Sequence, residues 1–283
     1  MPSRNAAAHI GEALHSVSAQ RNGLSDIKVI LADGGSTDET VEIAETFDFL
    51  ERLTGQDNGI YDGFNRGIAA CDDLPDHAIL GILNADDMLP PAALSNAISA
   101  LNGHPDAQMV SGSARFHDGT GLDTILVQSN PMSVQSLLFA VPAINARFFR
   151  LGLVRKVGGF EPRAGIAADR EWLMRVLRSG LPRMVIDEQL YIFRAHEGST
   201  TMAANAAGRE RVWKAEEDLA HYLRDDPGAT AEERKFADAA RQLSQMKRLV
   251  ATKRRERSQE FSFGSTLRGV AMWRRWRGRL SGW

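Results

Sequence analysis

Three strand-like runs, residues 27–32, 49–53 and 78–83, are each followed by a polar turn and then by apolar residues at helical spacing. The first run is rich in β-branched side chains (Ile27, Val29, Ile30), the composition of a strand. After the turns come Val41, Ala44 and Phe47, then Ile60, Phe64 and Ile68, then Leu94, Ile98 and Leu101. That recurrence every three or four residues predicts helices with one buried face. A helix over residues 6–20, carried by Ile10, Leu14 and Val17, precedes the first run, and a strand is expected at 108–111. Strands alternating with helices leave few folds open: an α/β chain with a βα-repeated, largely parallel sheet and helices on its faces.

In such sheets, ligands bind just outside the carboxyl ends of the strands. The first run ends at Asp33, and Gly34 and Gly35 let the backbone approach a ligand closely. Ser36 and Glu39 fit a capping box opening the next helix. The third run ends in Asn84-Ala85-Asp86-Asp87. Paired carboxylates at a strand tip are hard ligands suited to Mg²⁺ or Mn²⁺ shared with a diphosphate. The plain alternative is a solvated turn, since Asp and Asn are common turn residues. Between these two sites, the helix carrying Phe64 presents Tyr61, Asp62, Asn65 and Arg66 on its other face.

The 283 residues can bury one large core, or one domain with an appendage. No run approaches the roughly 18 apolar residues of a membrane span, and the start has no apolar signal-peptide core. A single cysteine, Cys71, rules out an internal disulfide and fits a reducing cytosol. Charge is unevenly spread: residues 241–283 hold 12 Lys/Arg against 2 Asp/Glu, while residues 1–240 hold 22 against 34. An acidic body with no recognised module argues against nucleic-acid binding.

Several stretches together resemble the family 2 glycosyltransferases of GT-A fold. They are Asp33-Gly-Gly-Ser-Thr-Asp-Glu-Thr, Gln56-Asp-Asn-Gly-Ile-Tyr-Asp-Gly-Phe-Asn-Arg-Gly-Ile and Leu83-Asn-Ala-Asp-Asp, in that order. Phe148-Phe-Arg-Leu-Gly-Leu-Val-Arg-Lys-Val-Gly-Gly-Phe-Glu is similar to the family's acceptor-side segment, Ala168-Asp-Arg-Glu-Trp-Leu-Met-Arg to its catalytic helix start, and Phe193-Arg-Ala-His-Glu-Gly-Ser-Thr to its closing loop. The resemblance implies a Rossmann-like GT-A domain over 1–201 and a helical extension over 202–283. It implies inverting transfer from a nucleotide-diphosphate sugar, a UDP-sugar first among them, to a glycan or lipid-linked acceptor in cell-surface polysaccharide synthesis. It assigns nucleotide-sugar binding to Asp33, Gly35, Ser36, Asp57, Tyr61, Asn65, Arg66, Asn84 and Asp86. The metal, Mn²⁺ or Mg²⁺, falls to Asp86, then Asp87, with His196 as a further contact. Asp169 matches the general base, with Glu171 as the fallback.

The chain departs from the family at its opening. Members begin with an apolar strand before the segment that Pro2-Ser3-Arg4-Asn5 resembles, and that strand is expected to be missing. Two functions therefore stay open: an active transferase, favoured by Asp169, and an inactive nucleotide-binding scaffold, favoured by the missing strand. Past Ser199 the pattern is helical, with Val212, Leu219 and Leu223 marking one helix and Phe236, Ala240, Leu243, Met246 and Val250 another. Residues 263–283 interleave Trp273 and Trp276 with arginines, which suits an anionic membrane surface and a peripheral position on the inner face of the cell membrane. A solvated basic end and a homodimer contact are the other readings of that segment.

Overall fold

The computed structural model describes residues 1–21, 24, 26–117, 126–127, 132–139, 143–194 and 206–256. The chain opens with a two-residue strand, β1 (Pro2–Ser3), followed by α1 (Ile10–Ser18), β2 (Val29–Asp33), α2 (Thr40–Ala44), β3 (Leu50–Leu53) and α3 (Ile60–Ala69). The three strands form a parallel sheet in the order β1-β2-β3, with Pro2 opposite Ala32 and Ser3 opposite Asp33. The segment expected to open as a loop therefore pairs as a strand, because its backbone meets the last two residues of β2 in register.

The second sheet begins with β4 (Ile79–Gly81), which leads through a turn to α4 (Ala93–Gly103). After it come β5 (Met109–His117), β6 (Leu126–Val127), α5 (Val134–Phe139), β7 (Arg147–Arg150), α6 (Leu151–Val157), α7 (Ala168–Arg178) and β8 (Arg183–Arg194). Strand β5 is its spine. It pairs antiparallel with β7 and β6 on one edge and parallel with β8 along the other, and β4 closes the far side against β7. Of the 78–83 run, only Ile79–Gly81 joins the ladder; Ile82 and Leu83 continue it as buried backbone outside the ladder, with Ile82 O accepting from Asn145 Nδ2 at 3.4 Å.

Two apolar clusters lie against the sheets. Ile10, Leu14, Leu31, Ala97, Leu101 and Tyr191 belong to the one packed under α1 and α4. Phe64, Phe149, Phe160, Trp172 and Leu173 belong to the other, under α3 and α7. In α4 the buried stripe is Ala93, Ala97 and Leu101, rotated by one residue from the expected one because the small alanines allow close approach to the sheet. Ile60, expected inside, is 48% exposed, since it sits in the first turn of α3 beyond the edge of the core.

The end of the described chain is a hairpin of α8 (Ala206–Asp225) and α9 (Ala231–Glu256). Leu219, Leu223, Ala237 and Ala240 share the second cluster with Trp172, so the hairpin is packed into the core beside α7. Arg178 of α7 fixes it, donating to Glu233 at 2.9 Å and to Asp226 at 2.9 Å. Helix α9 starts with a true capping box: Thr230 N–H donates to Glu233 Oε2 (2.7 Å) and Glu233 N–H to Thr230 Oγ1 (3.1 Å). Among the described residues, no helix is long and apolar enough to cross a membrane. Residues 263–283 lie outside the described residues.

Candidate active site

At the carboxyl end of β2, Asp33 is buried, and its Oδ2 accepts from the N–H groups of Gly35 (3.1 Å) and Ser36 (3.0 Å). The Ser36 hydroxyl donates to Asp33 Oδ1 at 2.5 Å and accepts from Asn5 N–H at 2.9 Å. The loop is thus folded back on the strand end, a turn that Gly35 permits with its φ of +83°. Ser36 is spent on this turn and caps no helix. The side chain that turns toward α2 is Asp38, which accepts from Thr40 N–H (3.1 Å) and Ala7 N–H (3.1 Å). Sequence patterning chose Ser36 with Glu39, and the long-range partner Ala7 is what decides for Asp38.

The Asp57 carboxylate, just before α3, comes within 2.7 Å of where a Cβ on Gly34 would stand. A side chain there would have to push the Asp57 carboxylate aside, so the contact sets Asp57 against the residue that follows Asp33, the pair that the resemblance assigns to one pocket. Ser3 lies at the same strand end; its hydroxyl is buried and has no hydrogen-bond partner among the described residues. Nothing in the local sequence marked Ser3, whose role depends on β1 pairing beside Asp33.

Helix α3 carries the other expected nucleotide contacts, and here the geometry divides them. Arg66 donates to the carbonyls of Thr54 (2.7 Å) and Gly55 (2.9 Å), so it pins the loop that delivers Asp57. Asn65 accepts from Phe160 N–H (2.7 Å) and donates to Phe160 O (2.9 Å), using both ends of its amide. The Tyr61 hydroxyl donates to Ile166 O at 2.9 Å, and its ring packs against Phe160. All three therefore hold backbone, and two of them hold the 158–167 stretch that leads to Asp169. Trp172 Nε1 donates to Gly158 O (2.7 Å), while Arg175 donates to Val157 O (2.6 Å) and Gly159 O (2.7 Å). Trp172 and Arg175 were missed from sequence; an aromatic and a basic residue one turn apart on α7 carried no signal of a loop clamp.

Asp169 lies in the first turn of α7, partly buried, its Oδ1 accepting from Arg170 N–H at 2.7 Å. Burial raises its pKa above the ordinary carboxylate range, against the opposing pull of Arg170. Burial likewise raises the phenol of Tyr61, helped by the negative charge of Asp169 nearby. Glu171, the fallback base, is fully buried and bound at both oxygens by Arg175 (2.7 and 2.8 Å). A carboxylate so enclosed is a poor proton acceptor for a ligand in the crevice.

The turn after β4 holds the paired acids in different states. Asp87 is 4% exposed and saturated with donors: Tyr191 O–H (2.8 Å), Asn84 Nδ2 (2.9 Å) and Arg194 N–H (2.8 Å). Burial, with the charge of Asp86 second, raises its pKa to about 6. Asp86 is half-buried. Asn84 gives its amide nitrogen to Asp87, and its buried Oδ1 has no partner among the described residues. The Asp86 carboxylate and the orphaned Asn84 amide oxygen are both hard donors, and they fit a divalent cation that completes its shell from a diphosphate and water. Asp87 is better matched to bracing the turn against β8. Among the described residues no group of three His, Cys, Asp or Glu side chains forms a metal cluster, and His196 lies outside those residues. The turn rests on α1, with Leu89 N–H donating to Ser16 Oγ at 3.0 Å.

Comparison with known proteins agrees with this geometry. The model for "Glycosyl transferase family 2" matches residues 1–156. A "PGL/p-HBAD biosynthesis glycosyltransferase" of Mycobacterium bovis is 32% identical over 188 residues, covering 62% of this chain and 67% of the relative. An uncharacterised glycosyltransferase of Mycobacterium tuberculosis is 33% identical over 165 residues, covering 56% of this chain and 60% of the relative. Among solved structures, the mannosyltransferase of Pyrobaculum calidifontis in complex with GDP-Man and Mn²⁺ superimposes with a TM-score of 0.60 at 17% identity, covering 96% of this chain and 78% of that one. Residues 1–349 of S. aureus TarS with UDP-GlcNAc give 0.59 at 17% identity, covering 85% and 68%. These likenesses show the GT-A fold that the sequence implied. The chain belongs to glycosyl transferase family 2.

Proposed function

We propose that this glycosyltransferase moves a sugar from a nucleotide-diphosphate donor to an acceptor hydroxyl with inversion, and that Asp169 is its general base. The observation that carries the reading is the state of Asp169. It is a partly buried carboxylate of raised pKa at a helix N-terminus, and the stretch that leads to it is clamped by Tyr61, Asn65, Trp172 and Arg175. The helix N-terminus favours its ionised form while burial strengthens it as a base, the combination general-base catalysis requires.

The donor's nucleotide would occupy the crevice of Asp33, Asp57 and Ser3, its diphosphate running toward the Asn84–Asp87 turn. Asp86 and Asn84 Oδ1 would hold Mn²⁺ or Mg²⁺ there, and the cation supplies neutralisation of the departing diphosphate. The acceptor oxygen attacks the anomeric carbon as its proton passes to Asp169. The bond to the diphosphate breaks with its electron pair on the leaving oxygen. Attack opposite the leaving group inverts the centre in one displacement. Asp87 keeps the turn fixed to β8 throughout, and the family assignment, together with the neighbours that hold UDP-GlcNAc or GDP-Man, supports a nucleotide sugar as donor. A UDP-sugar is our first choice, with an acceptor in cell-surface glycan synthesis; the relative named for PGL/p-HBAD biosynthesis supports that setting.

The test is release of nucleoside diphosphate from a panel of UDP- and GDP-sugars, with and without Mn²⁺. Metal-dependent release from one member is expected. Tight binding of a nucleotide sugar with no release, across the panel and with acceptor extracts present, would instead identify an inactive scaffold.

A further inference from the structure

Helix α9 has two apolar sides, and the fold uses only one. Ala237, Ala240 and Ser244 face α8 and are 1%, 2% and 0% exposed. On the opposite side, Met246, Leu249 and Val250 are 63%, 63% and 51% exposed. At 100° per residue these three fall on one stripe, about half a turn away from the packed one. Of the six large hydrophobic side chains exposed among the described residues, these three occupy little more than one turn. Scattered exposed apolar residues are ordinary, but a contiguous group marks a contact surface.

The stripe's surroundings indicate the contact's chemistry. It lies in the basic part of the chain, where residues 241–283 hold 12 Lys/Arg against 2 Asp/Glu, with exposed Lys247 beside it. Its side chains are aliphatic or thioether, without hydrogen-bonding groups to recognise a specific partner surface. The sequence that follows interleaves Trp273 and Trp276 with arginines. Aliphatic side chains, indoles and dispersed cations match the acyl boundary, headgroups and charge of an anionic bilayer. We propose that the outer stripe of α9, Met246, Leu249 and Val250, docks on an anionic membrane surface.

The docking face is also placed usefully. Arg170, next to Asp169, lies 3.8 Å from Glu216 of α8, and Glu216 accepts a hydrogen bond from the Ser244 hydroxyl of α9. The stripe begins two residues beyond Ser244, roughly 3–9 Å farther along the axis of α9. A surface bound there would lie at the Asp169 end of α7. This consequence rests on the reading of Asp169, whereas docking itself does not.

Sedimentation of the full chain with vesicles tests it, comparing phosphatidylcholine alone with phosphatidylcholine containing phosphatidylglycerol. The triple variant Met246→Ser, Leu249→Ser, Val250→Ser is the comparison, and its unfolding temperature should match the parent because all three side chains are already in water. Binding to the anionic vesicles only, weakened roughly tenfold in the variant (about 1.4 kcal/mol), is expected. Absence of binding by the parent, or equal binding by parent and variant, would overturn the proposal. So would a parent of twice the monomer mass in solution that the variant reduces to monomer, since a second copy would then cover the stripe. None of these readouts depends on catalysis, so a failed release assay and a failed docking assay are separable.

Discussion

Replacing Asn65 with alanine separates a structural clamp from a nucleotide contact. The amide makes two hydrogen bonds to the backbone of Phe160, at 2.7 and 2.9 Å, and Phe160 is only 4% exposed. Each such bond contributes about 1 kcal/mol net, and a buried backbone group left unpaired costs roughly 1–3 kcal/mol. The two together put Asn65→Ala at about 2–4 kcal/mol of lost stability. For a chain of this size that is a fall of roughly 5–10 °C in unfolding temperature. Phe160 also stacks on Trp172 with ring centroids 5.5 Å apart, so the loosening should spread to the loop before Asp169 and lower transfer. Scanning calorimetry gives the stability, and titration calorimetry with the nucleoside diphosphate gives affinity, expected within about threefold of the parent. Asn65→Asp keeps the acceptor for Phe160 N–H but loses the donor to Phe160 O, so it should fall between. An unchanged unfolding temperature with affinity lost tenfold or more would refute the clamp and return Asn65 to the nucleotide.

Two other perturbations read the packing and the turn. Arg178→Ala leaves the Glu233 carboxylate, whose side chain is 2% exposed, beside that of Asp226 with no countercharge from α7 and only the Thr230 N–H to hold it; a cost of about 3–5 kcal/mol and early loss of α8–α9 helicity are expected by circular dichroism. Asp87, with a pKa raised to about 6, binds its proton more tightly folded than unfolded, so in metal-free protein stability should fall as pH rises from about 4 to about 6 and then level off; Asp87→Asn should flatten that slope in urea titrations.

The βα order of the first hundred residues was legible because periodicity and turn residues there agree. The nearness of Asp57 to the end of β2 came from the family resemblance rather than from any local pattern, and the structure sets its carboxylate against Gly34. Asp87 was expected as a second metal contact; its hydrogen bond from Tyr191, 104 residues away, was not legible, because adjacent acids look alike in sequence. Asn65, Arg66 and Tyr61 carry polar groups at a helix entry, yet their partners are backbone carbonyls and an N–H that no local pattern reveals. The buried strand arginines hid for a related reason. Arg150 flanks Phe148 and Phe149 as a polar alternate should, but its guanidinium donates to Ala107 O, His77 O and Leu101 O. Met246 and Val250 satisfied the helical period that marked α9; only the position of α8 fixes which stripe is buried.

The central claim is that the Asn84–Asp87 turn and Asp169 do different jobs in one reaction. Its most direct test is donor affinity and transfer rate measured side by side for Asp86→Ala and Asp169→Asn. The account predicts that Asp86→Ala abolishes the metal-dependent part of donor binding. It predicts that Asp169→Asn binds donor with near-parental affinity and transfers at least about 10²-fold more slowly. Near-normal turnover by Asp169→Asn, or equal loss of binding in both variants, would contradict it.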